Sequence, residues 1–109
     1  MKKAAAEHES RGPHMDYIED VRRIVLAGLK GHPAKVYLHG SRARGDAARW
    51  SDIDVAVLPL EPFPLGLLAA IREELEESRV PYKVDVVDLS KTEPSFRERI
   101  KREGVLWTA

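Results

Sequence analysis

The chain has 109 residues, enough for one small domain, and its 43% hydrophobic and 33% charged side chains are typical of a globular protein. Its 18 basic and 18 acidic side chains balance, which argues against a general nucleic-acid binder, and the lack of cysteine excludes disulfides and thiolate metal sites. No apolar run approaches the roughly 20 residues that span a bilayer, and no signal peptide opens the chain. We therefore expect a cytoplasmic protein with no membrane contact.

The first fifteen residues show no apolar periodicity and end in Pro13-His14-Met15. We interpret residues 1–15 as a disordered tail or an expression scar, and residues 16–109 as the folded domain.

Helical and strand patterns alternate along the rest of the chain. Apolar residues recur at helical spacing in some segments, and β-branched residues cluster in shorter ones. In chain order, the patterns predict a helix over 16–29, a strand over 35–39, a short helix over 41–48, a strand over 53–58, a helix over 65–78, a strand over 83–89 and a helix over 94–102. Three strands covered by helices indicate an α/β (α+β) fold, a two-layer sandwich. Gly104 is expected to cap the C-terminus of the last helix, before an apolar segment over 105–107.

A phosphate site is suggested where the first predicted strand ends, at Gly40 and Ser41. Glycine lets the backbone approach a ligand closely, and a helical turn starting at Ser41 would direct its N–H groups and hydroxyl at an anion. Arg42 and Arg44 lie within reach of a bound polyphosphate. A Gly-Ser pair also occurs in ordinary turns, and solvated loop arginines are common, so these residues alone do not define a site.

Three aspartates indicate metal chemistry. Asp52 and Asp54 flank Ile53 at the start of the second predicted strand, so their side chains share a face, about 6.5–7 Å apart along the chain. Asp85 joins them if the third predicted strand is a neighbour. Carboxylates about 4–5 Å apart repel by roughly 3–4 kcal/mol at an effective dielectric of 20, and Mg²⁺ turns that repulsion into binding. A lone D-x-D is usually a solvated strand edge, but its conjunction with Gly-Ser and a third acid favours a site.

Gly40-Ser41, ten intervening residues and Asp52-Ile53-Asp54 together resemble the signature of the polymerase-beta-type nucleotidyltransferase superfamily. The run from Gly40 to Val55 more narrowly resembles the minimal nucleotidyltransferases (MNT), prokaryotic proteins often paired as antitoxins with HEPN-domain toxins. The resemblance covers nearly all of residues 16–107 and implies the polymerase-beta-like fold with a small three-stranded mixed sheet.

The resemblance also implies the site residues. The catalytic and metal-binding carboxylates would be those of Asp52, Asp54 and Asp85. The nucleotide- and phosphate-binding residues would be Gly40, Ser41, Arg44 and, as a weaker candidate, Arg42. One or two Mg²⁺ ions would act on ATP as substrate. We expect His39 to be a packed histidine, and Asp88 to face away from the site as a surface or capping group.

The implied activity is AMP transfer from ATP to a hydroxyl of a HEPN-type toxin by a chain that forms homo- or hetero-oligomers. No P-loop or dinucleotide-binding motif is present to suggest another nucleotide chemistry. One alternative is a catalytically idle antitoxin that neutralises its partner by contact. Another is a small-molecule nucleotidyltransferase, although a chain of 109 residues has little room for an acceptor-binding domain.

Overall fold

The computed structural model describes residues 13–45 and 51–108. The helices and strands of this part of the chain are α1 (Pro13–Gly28), β1 (Ala34–His39), α2 (Ser41–Arg44), β2 (Ile53–Pro59), α3 (Leu67–Glu77), β3 (Val84–Asp88), a 3₁₀ turn (Leu89–Lys91), α4 (Pro94–Glu103) and β4 (Val105–Leu106). None of the helices in these residues has both the length and the apolar character needed to cross a membrane.

The strands form one mixed sheet in the order β3-β2-β1-β4. β1 is antiparallel to β2 and β4, whereas β2 and β3 are parallel, with α3 in their crossover connection. The expected three-stranded sheet therefore has a fourth strand. Leu106 of β4 pairs with Tyr37, and the N–H of Trp107 donates to the carbonyl of Val36 at 2.7 Å. The apolar segment after α4 thus completes the sheet.

Side chains alternate between the two faces of the sheet, and each face has its own core. On the first face, α1 and α3 pack over the larger core, whose buried residues are Val21, Val25, Leu29, Val36, Leu38, Ile53, Val55, Val57, Ile71, Leu75, Tyr82 and Val86. On the second face, α4 and the 3₁₀ turn enclose a smaller core, whose buried residues are Tyr37, Ala56, Leu89 and Ile100. The α/β class is confirmed, and α4 adds a partial third layer to the predicted two-layer sandwich.

Glycine conformations explain where two helices differ from their predicted bounds. α3 starts at Leu67 rather than residue 65 because Gly66 has a positive φ of 89°, which leaves Leu65 exposed. Gly104 is the C-terminal cap of α4, as predicted, and takes up an extended conformation with φ −78° and ψ 165°. Its N–H still donates to the carbonyl of Ile100, at 2.8 Å.

The predicted N-terminal tail and the predicted short helix over 41–48 each extend beyond the described residues. α1 begins at Pro13, three residues before its predicted start, and residues 1–12 of the predicted tail lie outside the described residues. α2 ends at Arg44, where Gly45 takes up a left-handed conformation, and residues 46–48 of the predicted short helix lie outside as well.

Candidate active site

Asp54 is the centre of a row of three polar residues that crosses the sheet. Its register partners are His39 on β1 and Asp85 on β3. Residues paired in register on adjacent strands, about 4.8 Å apart, project their side chains from the same face. Ile53 and Val86 enter the larger core on the first face, so Asp54 and Asp85 both lie on the second face. The predicted sharing of a face by these two aspartates is confirmed.

Asp52 lies one residue before β2, and its side chain is exposed. The N–H of Ile53 donates to the carbonyl of Lys83 at 2.9 Å, which ties the start of β2 to the start of β3. Asp52 is close enough to influence the ionisation of Asp54. The three predicted carboxylates therefore belong to one electrostatic neighbourhood.

The ionisation of Asp54 reflects that neighbourhood. Burial raises the pKa of Asp54 above its ordinary value; His39 opposes this shift, the negative charges of Asp85 and Asp52 add to it, and Arg44 opposes it. Burial and, to a smaller extent, repulsion by the acidic neighbours thus make the charged form of Asp54 costly. A cation placed among these carboxylates would remove that repulsion.

His39 lies between α4 and the acidic row, which comprises Asp52, Asp54 and Asp85. Its ring packs edge-on against Phe96, with centroids 6.1 Å apart and planes at 86°. Burial lowers the pKa of His39, Asp54 opposes this shift, Arg99 adds to it and Asp85 opposes it. The expected packed histidine is confirmed, and it also borders the acidic row.

Gly40 places the backbone directly against Asp54. Its φ of 77° and ψ of −158° lie in a region that essentially only glycine adopts. A Cβ at this position would collide with Oδ2 of Asp54 and would lie 3.3 Å from its Cγ. The N–H groups of Ala43 and Arg44 both donate to the carbonyl of Gly40 at 3.1 Å, so α2 turns immediately after the contact. Ser41, at the first position of that turn, is half-buried beside the row.

The two arginines of α2 have different surroundings. Arg44 is exposed and lines a cavity of about 210 Å³ together with His39, Gly40 and residues of α4. Arg42 is only 8% exposed, and its Nη2 donates to the carbonyl of Ser51 at 2.6 Å. Its guanidinium also lies over the ring of Tyr82, 4.6 Å from the centroid. Arg42 therefore joins α2 to the residue that precedes Asp52, which suits a positioning role better than the predicted contact with phosphate.

The sequence did not predict that α4 would form one wall of this cavity. Arg99, Ile100 and Glu103 line it. Their approach to Gly40 depends on how α4 crosses the sheet, and neither spacing nor a local motif encodes that crossing. Asp88 behaves as expected, because its carboxylate accepts the N–H of Ser90 at 2.9 Å and caps the 3₁₀ turn.

The acidic row suits Mg²⁺ by its chemistry. Within residues 13–45 and 51–108, no three acidic or histidine side chains lie close enough together to hold a metal ion by themselves. Mg²⁺, however, is usually bound by one or two carboxylates, with water and substrate phosphates as its other ligands. Asp52, Asp54 and Asp85 supply hard oxygen donors whose mutual repulsion a cation would relieve. The residues therefore fit a metal that is shared with a phosphate ligand.

Residues 26–108, which include the whole acidic row and the Gly40 turn, match the family described as Polymerase beta, Nucleotidyltransferase. The chain belongs to this nucleotidyltransferase family. The family membership agrees with the resemblance seen in the Gly-Ser and D-x-D motifs.

Two individual relatives are more than 30% identical to this chain over the matched residues. The chain is 36% identical over 71 residues to the Haemophilus influenzae "Probable protein adenylyltransferase MntA", a match that covers 65% of this chain and 62% of the relative. The matched part is therefore less than two thirds of that protein's length. A solved structure assigned as a minimal nucleotidyltransferase has 32% identity and a TM-score of 0.66, covering 83% of this chain and 92% of its own.

A second solved structure shares the fold at lower identity. It is the complex of the tri-AMPylated HEPN toxin of Shewanella oneidensis with MNT antitoxin. The match has 17% identity and a TM-score of 0.61, and covers 90% of this chain and 73% of the other.

Proposed function

We propose that this nucleotidyltransferase transfers AMP from ATP to a hydroxyl group of a HEPN-domain toxin, and so acts as an antitoxin. The observation that carries the proposal is the register of Asp54 with Asp85, beside the Gly40 turn. The names of the relatives support the donor and the acceptor, since one is called a protein adenylyltransferase and another is an MNT antitoxin bound to an AMPylated toxin.

The metal would be Mg²⁺, held by Asp52, Asp54 and Asp85 together with the phosphates, and it would neutralise negative charge at the reacting phosphate. The turn at Gly40 and Ser41 seats the triphosphate, with the first N–H groups of α2 and the Ser41 hydroxyl as donors. Arg44 offsets the charge that develops on the leaving pyrophosphate.

In the transfer itself, the acceptor hydroxyl oxygen attacks the α-phosphorus of ATP. The bond from that phosphorus to the bridging oxygen breaks, pyrophosphate leaves, and a phosphodiester joins AMP to the acceptor. The proton of the hydroxyl passes to a carboxylate of the acidic row. We assign this step to Asp85, which is exposed and therefore accessible to a bound protein partner.

Arg42 acts as a positioning residue in this scheme. Its bond to the carbonyl of Ser51 and its stacking on Tyr82 fix the distance between the triphosphate turn and the start of β2. Catalytic groups on two elements need such a link, because displacement by about 1 Å can cost a factor of roughly 100 in rate.

The test is a transfer assay with the purified chain, Mg²⁺, ATP labelled at the α-phosphate and a HEPN-domain toxin as acceptor. We expect the partner to become labelled by the wild type and not by Asp54→Asn. Asp88→Asn is the matched control, since Asp88 pairs with Val57 on the opposite face of the sheet and should leave labelling intact.

Two outcomes would contradict the proposal. If the wild-type chain leaves the partner unlabelled, the proposed transfer of AMP does not occur. Full neutralisation of the toxin by Asp54→Asn would show that contact alone is sufficient, and would favour the binding-module alternative.

A further inference from the structure

The cavity beside the acidic row has walls from two different elements. His39, Gly40 and Arg44 form one side, and Arg99, Ile100 and Glu103 of α4 form the other. Its volume of about 210 Å³ is several times the roughly 30 Å³ that a water molecule occupies in the liquid. Gly40, which forms part of its wall, lies directly against the carboxylate of Asp54, so the cavity adjoins that carboxylate.

Arg99 is oriented at this cavity by an aromatic ring. Its guanidinium carbon lies 5.2 Å from the centroid of Phe96, the same ring that packs against His39. This distance is within the range of a cation–π contact, in which the face of the ring attracts the guanidinium. Phe96 therefore contacts both His39, which borders the acidic row, and Arg99 on the opposite wall.

The charge of Arg99 is not offset by an ion pair with any carboxylate of the described residues. Glu103, one helical turn further along α4, pairs with Arg102 at 3.6 Å instead. Arg99 lines the same cavity as His39 and Arg44. The cavity thus receives guanidinium groups from two elements, Arg44 from α2 and Arg99 from α4.

We infer that Arg99 binds the β- and γ-phosphates of the nucleoside triphosphate, opposite Arg44. The inference rests on the proposed function and adds a residue to its nucleotide site. A polyphosphate placed beside three carboxylates needs cationic donors on its other side, and guanidinium can donate two parallel N–H bonds to phosphate oxygens. Arg99 supplies such donors from the wall of the cavity that α4 forms, across from Gly40 and Arg44.

The experiment measures nucleotide binding directly, by titration calorimetry with AMP-PNP and with AMP in the presence of Mg²⁺. We expect Arg99→Ala to weaken AMP-PNP binding about ten-fold or more and to leave AMP binding unchanged, because AMP lacks the two distal phosphates. Arg99→Lys, which keeps the charge and loses the paired donors, should be intermediate. Lys101→Ala is the control for charge, since Lys101 pairs with Glu98 at 3.7 Å outside the cavity.

The transfer assay separates the remaining possibilities. In Arg99→Ala, the KM for ATP should rise while the KM for the protein acceptor stays the same. Unchanged AMP-PNP binding with a raised KM for the acceptor would overturn the inference and leave the proposed function intact. If the wild-type chain binds no AMP-PNP at all, the proposed function itself is wrong.

Discussion

Replacing Gly40 by alanine tests the contact on which the site depends. An added Cβ would collide with Oδ2 of Asp54, and φ at this position is 77°. Gly31 offers a matched control because its φ is 84° and nothing lies within 4 Å of an added Cβ. Both substitutions strain the backbone, but only Gly40→Ala must displace a carboxylate.

The expected magnitudes differ accordingly. Backbone strain of this kind costs about 1–3 kcal/mol, and each kcal/mol lowers Tm by roughly 4–8 °C in a domain of this size. For Gly31→Ala we expect that cost alone, with unchanged AMP transfer. For Gly40→Ala we expect a further loss of about 1–3 kcal/mol from overpacking. Transfer should also fall about 100-fold, because a carboxylate displaced by about 1 Å no longer meets the substrate geometry.

Thermal unfolding followed by circular dichroism measures the first effect, and the transfer assay measures the second. A double variant assigns the cause, since Asp54→Ala removes the carboxylate that the new Cβ meets. In that background, Gly40→Ala should cost less than it does in the wild type, because only the strain of the backbone conformation remains. If Gly40→Ala is as stable and as active as Gly31→Ala, the Gly40 turn does not position Asp54 and the reasoning is refuted.

Three further predictions concern neighbouring parts of the structure. Because burial raises the folded-state pKa of Asp54, its contribution to stability is fully present below the ordinary carboxyl pKa and is lost as pH rises through the raised value. Asp54→Asn should therefore raise Tm at pH 7, with the gain disappearing below about pH 4; a gain that persists in acid would contradict this. Arg42→Met should lower the unfolding free energy by about 1–3 kcal/mol, because it removes the hydrogen bond from the guanidinium to the carbonyl of Ser51. Its kcat should fall more than its KM for ATP changes, and a raised KM alone would point to phosphate binding instead. Gly104→Ala puts a Cβ 2.8 Å from the carbonyl oxygen of Ile100, so denaturant titration should show a loss of about 1–3 kcal/mol. Equal stability would mean that the end of α4 adjusts freely.

Periodicity predicted most of the fold, and it also predicted the shared face of the acids. Alternation along β2 and β3 is sufficient to place Asp54 and Asp85 on one side, because Ile53 and Val86 must enter the larger core. β4 could not be predicted in this way. It has two residues, and its pairing with β1 depends on where α4 ends.

The different surroundings of the two arginines in α2 could not be predicted from the sequence either. A helix of four residues has no periodicity to show which side is buried. Arg42 is buried because Tyr82, forty residues later in the chain, presents its ring to the guanidinium. Arg99 likewise becomes part of the site only because Phe96 and Ile100 anchor α4 to the second face. Such contacts join distant segments, so they follow from the packed structure and not from local sequence.

The division of the sheet into two faces explains how so small a domain tolerates an acidic cluster. The larger core lies under α1 and α3 on the first face, and the acidic row lies on the second, at the margin of the smaller core. If α4 covered the row fully, the desolvation that already raises the pKa of Asp54 would increase, and the carboxylate would tend to hold a proton instead of a metal. If α4 lay farther away, Phe96 would no longer orient His39 and Arg99. The position of α4 therefore leaves Asp54 only partly buried, while Phe96 still contacts His39 and Arg99. It follows that neutral substitutions in the row should gain stability as they lose activity, whereas substitutions in the larger core should lose both together.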